Sequence, residues 1–514
     1  MDIDLNELKE LDGWIDDDDF EEMNNPSQNM NHSKTIYLSN SSGKGNQSKN
    51  YLLNIFTQLK KHTFQGFHDI KAIPNAFSNF FNTFWIKKSR YVGQMSAPKM
   101  ALSAIISCYI IFYVGIRAKY PFWMKQPVLH HHDLLLRIKA PCVISTDLPP
   151  SNRYVNNKIR FRKFNDLSMY DRDHFFDLIS KHYLRGGKEE YRPSEDSIFR
   201  YFQNLNLPSF FSLYYDNVDI RGDDGELAPE QRRLIGAMTT RPLHFYLKNE
   251  KSSAIDSPYP LYYVDWLCVH SAHRKQGKAA EIIYTHFFNQ QRQWGKSSIY
   301  LFKREGKNTP IVPLTKYMTY GFDIEQSIRE YNTEDIPKEH ILVKRMLSGE
   351  INLVKNIMEN IKNDFQCVIF PGDVLLKNMM KNSLIYVFAV YINQTPIGCV
   401  FCRNSQTHID VNDGKTKEQI SASENNTLCV EIFASYFPGE ISRENIMLCF
   451  DHISDMMKTK LKARYIILEN ISHNTFFIEG CLSRQSPLFR TPHNYYLYNF
   501  AQKSLLPKNV FIIN

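Results

Sequence analysis

The sequence predicts a mixed α/β (α+β) fold, and three features predict it. The first is Leu261–Val269, an apolar and aromatic run of strand length broken only by Asp265, which reads as a strand buried on both faces. The second is the basic, glycine-bearing turn Arg274-Lys275-Gln276-Gly277-Lys278-Ala279, which opens into a helical pattern with Ile282, Ile283, His286 and Phe287 at three- and four-residue spacing. The third is that helix-period and strand-length runs keep alternating to the end of the chain.

In order, Lys158–Phe164 alternates through Ile159 and Phe161 and predicts a strand, and Met169–Tyr183 predicts a helix with Phe175, Leu178 and Ile179 on one side. Leu234–Met238 and His244–Lys248 predict a strand pair leading into the central strand. Ser298–Phe302 predicts a buried strand, and the segment carrying Tyr317 a helix. From His340 the pattern repeats: helix Asn352–Phe365, strands Leu384–Ile392, Ile397–Cys402 and Leu428–Ser435, helix Arg443–Leu461, strand Tyr465–Leu468 and a final strand.

Strand, glycine turn and helix form a grip for phosphate. The first-turn N–H groups of a helix lack partners within it, the helix dipole adds positive potential, and Gly277 lets an anion approach the backbone without a Cβ in the way. Arg274 and Lys278 add full charges. On the hexapeptide alone, an ordinary turn with a solvated basic face stands equally.

Net charge is +8, but Met1–Glu22 carries eleven acidic residues and one lysine, so the remainder is +18. A basic body suits an anionic ligand such as a coenzyme, a nucleic acid or an anionic membrane, and charge alone does not choose. Nine scattered cysteines without disulfide-like spacing point to a reducing compartment. Cys399-x-x-Cys402 sits in an apolar run, so core packing is favoured over metal or redox chemistry. For His130-His131-His132-Asp133 a solvated histidine loop is favoured over a metal site, since consecutive residues point in different directions.

Residues 1–49 read as an acidic then Asn/Ser-rich tail, with a short amphipathic helix through Leu5, Leu8 and Leu11 as the alternative. No cleavable signal peptide is expected at the acidic N-terminus. Residues 50–119 join the aromatic and basic stretch Tyr51–Lys88 to Met100–Ile116, seventeen residues without a charge. That length is near the lower limit of a spanning helix, about 17 residues, so residues 100–116 are a candidate membrane anchor with a buried core helix as the rival.

Trp266-Leu267-Cys268-Val269-His270 resembles the Asn-Phe-Leu-Cys-Val-His signature of eukaryotic N-myristoyltransferases, a two-lobed branch of the GNAT acyltransferase superfamily. Tyr120-Pro121-Phe122-Trp123-Met124-Lys125-Gln126-Pro127-Val128 and Asn494-Tyr495-Tyr496-Leu497-Tyr498-Asn499-Phe500 resemble two further family segments in the same order. The resemblance covers Tyr120 to Asn514. It implies two tandem GNAT-like lobes, 120–339 and 340–514, forming one saddle-shaped catalytic core behind an N-terminal extension.

The activity implied is glycylpeptide N-tetradecanoyl transfer: myristoyl-CoA is the co-substrate, proteins with N-terminal glycine are acceptors, and neither a prosthetic group nor a metal is needed. The resemblance assigns the oxyanion hole to the backbone N–H groups of Trp266 and Leu267, and the base to the α-carboxylate of Asn514, whose side chain is expected not to matter. It places coenzyme contacts at Tyr120, Phe122, Trp123, Arg274, Lys275, Gln276, Gly277, Lys278 and Ala279, and peptide contacts at Tyr183, Tyr317 and Glu469. A cytoplasmic protein, membrane-associated if 100–116 anchors it, is expected, with no nucleic-acid partner.

Three departures from the family stand out. Asp265 replaces asparagine, the loop Arg185–Arg192 is mixed rather than acidic, and Gly480–Arg490 replaces a glycine-rich loop. The alternatives are a related acyltransferase with another donor or acceptor, and a non-catalytic membrane-associated acyl-CoA-binding protein.

Overall fold

The computed structural model describes residues 97–184, 189–218, 231–248, 259–294, 298–306, 309–328, 341–409, 428–439 and 441–514. The acidic tail, the Asn/Ser-rich linker, Tyr51–Lys88 and the start of the loop at Arg185 lie outside them. The described residues from Ile116 onward belong to one compact unit, and residues 97–115 to a second.

Three helices introduce the chain: α1 (Ala97–Lys119), α2 (Leu134–Lys139) and α3 (Met169–His182), with strand β1 (Ile159–Lys163) before α3. Then come β2 (Phe210–Val218), β3 (Gln231–Leu247), β4 (Tyr259–Val269), α4 (Lys278–Trp294), β5 (Ile299–Glu305) and β6 (Thr315–Asp323). The remainder is β7 (Ile341–Met346), α5 (Ile351–Asp364), β8 (Cys367–Phe370), α6 (Gly372–Lys381), β9 (Tyr386–Ile392), β10 (Thr395–Asn404), β11 (Leu428–Tyr436), α7 (Arg443–Leu461), β12 (Ala463–Glu469), α8 (Thr475–Leu482), β13 (Phe489–Tyr498) and β14 (Val510–Ile512). These fourteen strands join one sheet in the order β14-β8-β3-β4-β5-β13-β6-β12-β11-β10-β9-β7, with β2 also paired to β3 and β1 to β2; among the described residues two short strand pairs, 142–143 with 500–501 and 189–191 with 407–409, lie apart from it.

Local chemistry sets the helix limits. Ser168 caps α3 by accepting from the Asp171 N–H, and Ser442 caps α7 by accepting from Asn445. Lys462 ends α7 in a left-handed conformation. In α5 the buried residues Ile351, Val354, Ile357, Met358 and Ile361 keep the spacing of one helical face.

Two expectations are corrected. Tyr317 lies in strand β6, not on a helix. The strand pair expected across Leu234–Lys248 is one strand of 17 residues, β3. Pro242 sits where β3 changes neighbours, between the β2 pairing that ends at Thr240 and the β8 pairing that starts at His244, so its missing N–H costs no ladder bond.

Residues 100–116 fall inside the 23-residue helix α1, and its described side chains begin at Ala104. Among the described residues no helix is long and apolar enough to cross a membrane. Cys399 and Cys402 pack in different core clusters, so the pair is divided by the sheet.

The sheet opens at one place. β4 and β5 run parallel and pair only through Leu261–Tyr263 with Ile299–Leu301. Past that point β4 stays with β3, while β5 stays with β13. A wedge is left between two strands that begin side by side.

Candidate active site

The wedge is lined by Val264 and Leu267 from β4, Phe302, Lys303 and Arg304 from β5, Ile283 and Phe287 from α4, and Trp123. The cleft is narrow, about 50 Å³, and its walls are apolar and aromatic, as in a small-molecule site. Trp123 stacks on Phe302 with ring centroids 5.8 Å apart. His286 closes one wall. Its Nδ1 faces Ser212 Oγ at 2.9 Å and its Nε2 faces Thr240 Oγ1 at 2.9 Å, and burial pulls its pKa down to about 3, so the ring is neutral.

At the N-terminus of α4, Lys275 and Gly277 both take positive φ, 60° and 71°, which gives the sharp turn into the helix. Two of the charged side chains, Arg274 and Lys278, have partners within the chain. Arg274 donates to the main-chain oxygens of Val269 and His182, at 3.3 and 2.6 Å, and so ties the turn to its own strand. Lys278 donates to Tyr214 Oη at 2.9 Å, and Gln276 to the Ala272 carbonyl at 3.2 Å. What the turn offers an anion is backbone at Gly277, Lys278 and Ala279.

One face of the sheet gathers charge. Directly paired residues share a face, so the register sets Lys303 beside Tyr495, His493 beside Tyr317, Glu469 beside Thr319, and Arg403 beside Glu431. Lys303 Nζ lies 2.5 Å from Glu469 and 3.7 Å from Glu431, and Arg403 Nε lies 2.7 Å from Glu431. Arg403 Nη1 also donates to the main-chain oxygen of Asn514 at 3.0 Å. Asn514 is 1% exposed.

The Asn514 side chain, expected to be idle, accepts from Arg403 at 3.2 Å and donates to Tyr495 Oη at 3.3 Å. Tyr495 stacks on Tyr317. Asp265 has its own cation, buried Arg241, with Nε 2.7 Å from the carboxylate. The substitution of asparagine by Asp265 is thus matched by charge.

The two glutamates respond differently to burial. Arg403 and Lys303 hold Glu431 ionised, with its pKa far below the usual range, whereas burial and the charge of Glu431 raise Glu469 to about 7 against the pull of Lys303. A carboxyl raised on folding favours the folded state below its unfolded pKa of about 4.5. That contribution is lost as pH rises to about 7. Glu469→Gln is therefore expected to gain stability relative to the unmodified protein as pH goes from about 5 to about 8. Urea denaturation at the two pH values measures it, and an unchanged difference rules out a proton on Glu469.

Of the residues expected from sequence, Trp123 and Leu267 reach the cleft, while Glu469, Tyr317 and Asn514 belong to the charged face beside it. Phe122 is fully buried in the core, against Tyr154, and Tyr120 is half-buried beside the same cluster. The Trp266 ring packs with Phe175 and Phe202, away from the cleft, and the Trp266 main-chain N–H donates to Thr239 Oγ1 at 3.3 Å. Tyr183 sits edge-on to Tyr191 in the same aromatic cluster. The replaced loop needs no glycine: no residue from Ser483 to Arg490 has positive φ, and Arg484 anchors it on Asp451.

Sequence reading missed Lys303, Arg403, Glu431 and Arg241. Each lies within or at the end of a strand-length apolar run, and that was the available signal.

The comparisons agree with this architecture. A crystal structure of Saccharomyces cerevisiae N-myristoyltransferase with bound myristoyl-CoA superposes with a TM-score of 0.54 over 77% of this chain and 96% of that chain, at 10% identity. The chain has the N-myristoyltransferase fold. A second structure of the yeast enzyme with bound myristoyl-CoA gives 0.52 at 11% identity, over 77% and 92% of the two chains. At such identity the likeness is one of fold. No protein-family model matches the sequence, and neither does any curated protein. The wedge between β4 and β5 is thus a feature of a divergent chain with the N-myristoyltransferase fold.

Proposed function

We propose that the chain is an acyl-CoA-dependent N-acyltransferase that moves a myristoyl group to the N-terminal glycine amine of protein substrates. The observation that carries this reading is the apolar wedge between β4 and β5, with a glycine turn at the start of the helix that lines it and a buried charged face beside it. The acyl chain fills the cleft, and the coenzyme phosphates meet the backbone at Gly277, Lys278 and Ala279. Leu267, at the splay, presents its N–H to the developing oxyanion, a contact worth about 2.7–4 kcal/mol. The amine attacks the thioester carbonyl, the coenzyme thiolate leaves, and the amine proton passes to the Asn514 α-carboxylate. No metal enters the reaction.

Single-turnover mass spectrometry with myristoyl-CoA and a glycine peptide tests the reading: a product heavier by one myristoyl group is expected. Tight coenzyme binding without product instead favours a binding protein. Chain length gives a second expectation. Each buried methylene contributes about 0.8 kcal/mol, so shortening the acyl group by two carbons weakens binding by roughly 15-fold, measured by competition.

The nine free cysteines support a reducing, cytoplasmic location. Exposed Ile105, Ile106, Ile110, Phe112 and Val114 on α1 support membrane association. The full chain is expected to float with anionic vesicles and residues 117–514 to stay behind; equal flotation removes α1 as the cause.

A further inference from the structure

The stretch from His130 to Asp133 lies between the Trp123 turn and α2, and it does not fold as a solvated loop. His130 is buried, and its ring stacks on that of His132 with centroids 5.1 Å apart. Its Nε2 meets the main-chain oxygen of Trp123 at 2.9 Å, and its Nδ1 meets Asp133 Oδ2 at 3.0 Å. Both partners are acceptors, so Nε2 carries the hydrogen. In a neutral ring, Nδ1 then turns a lone pair onto a carboxylate oxygen. The His130 main-chain N–H also donates to that oxygen at 3.3 Å, and a cation between ring and carboxylate, a second ring proton or a metal ion, makes the ring's approach favourable.

A second observation separates the two. Asp133 is the N-cap of α2, where an aspartate side chain ordinarily accepts from the first-turn N–H groups. It makes no such bond. Its carboxylate is turned to both imidazoles instead, with Oδ1 3.5 Å from His132 Nε2, and the three donor atoms lie within 4.8 Å of one another. A single proton on His130 accounts for its own contact with the carboxylate, whereas one ion would account for both ring contacts. Ligand bonds of about 2.0–2.2 Å to one ion would separate the donors by roughly 3–4 Å. The His130 Nε2–H on a backbone carbonyl is the outer partner that fixes the tautomer of a ligating imidazole.

We propose that His130 Nδ1, His132 Nε2 and the Asp133 carboxylate bind one divalent ion of the zinc class, with its remaining position open to water or an anion. Two imidazoles and a carboxylate suit zinc or its first-row neighbours better than magnesium or calcium. The ion would pin the turn whose Trp123 ring walls the cleft. The site does not depend on acyl transfer.

The test is titration of the chelator-treated full chain with Co²⁺, read by its visible absorption, and with Zn²⁺, read by competition with a chromophoric chelator and by Tm. One tight equivalent with a raised Tm is expected. His132→Ala and Asp133→Asn should each weaken binding by about tenfold or more, whereas His131→Ala should not. Circular dichroism of the metal-free variants checks their folding, and His132→Ala, at a ring outside the main core, serves if Asp133→Asn does not fold. Two results overturn the proposal: no saturable binding, which leaves a protonated His130–Asp133 pair, or equal binding by the unmodified protein and His132→Ala, which places the ion elsewhere.

Discussion

Extending the chain past Asn514 with a short tag is expected to slow acyl transfer by about a hundredfold or more while coenzyme binding persists. The end of the chain is built into the core. β14 pairs in parallel with β8, the Ile513 N–H donates to the Ile369 carbonyl at 2.8 Å, and Asn514 is held by Arg403 and Tyr495. A tag cannot follow Asn514 into that space, so the terminal segment must withdraw and carry its main-chain oxygen away from Arg403. The cleft is formed by β4, β5, α4 and Trp123, none of which needs to move. A coenzyme titration beside a single-turnover rate separates the two effects. Unchanged turnover of the tagged protein would remove Asn514 as the proton acceptor and leave the cleft reading intact.

Arg403 also sets a cost on that role. A guanidinium bound to a carboxylate stabilises its charged form and makes it a weaker base. It fixes the position of the acceptor in return, and for proton transfer geometry comes first.

Elements whose order is written in local pattern were legible in the sequence. The central strand, the turn, α4, α5, α7 and the strands of the second half appear where their apolar periods put them, within a few residues. Tyr317 was misplaced because a buried strand and a buried helix segment share the same apolar density over a short run. β8 and α6 escaped notice because their apolar residues are explained by partners far away in the chain.

The site divides in the same way. The turn at Gly277 follows from local backbone, whereas the splay at Leu267 was implied only by the family resemblance. The directions of Arg274 and Lys278 were not, because His182 and Tyr214 come from other parts of the chain. The charged face was illegible for a related reason: Lys303 at the charged end of its strand, or Glu431 within its own, looks like an edge residue until the register of five strands sets the opposite charges side by side.

That register makes Lys303→Met the substitution with the largest expected effect on stability. Lys303 is the cation facing both Glu469, whose side chain is 1% exposed, and Glu431, at 10%. Methionine keeps much of the packing volume and removes the charge. Breaking a buried ion pair by deleting one partner costs about 3–5 kcal/mol, because the abandoned charge stays in a poor solvent. The loss should depend on pH with a definite sign. Glu469, already raised to about 7, rises further without its cation, so the destabilisation is small below about pH 4.5, where this carboxyl is protonated folded or unfolded, and grows through neutrality. Glu431 keeps Arg403 and should contribute less. Adding Glu469→Gln to Lys303→Met deletes the stranded charge and should recover part of the loss at pH 8. Denaturant unfolding of the single and double variants at about pH 5 and 8 reads both effects. A pH-independent loss that the second substitution does not relieve would mean that Lys303 matters through packing alone.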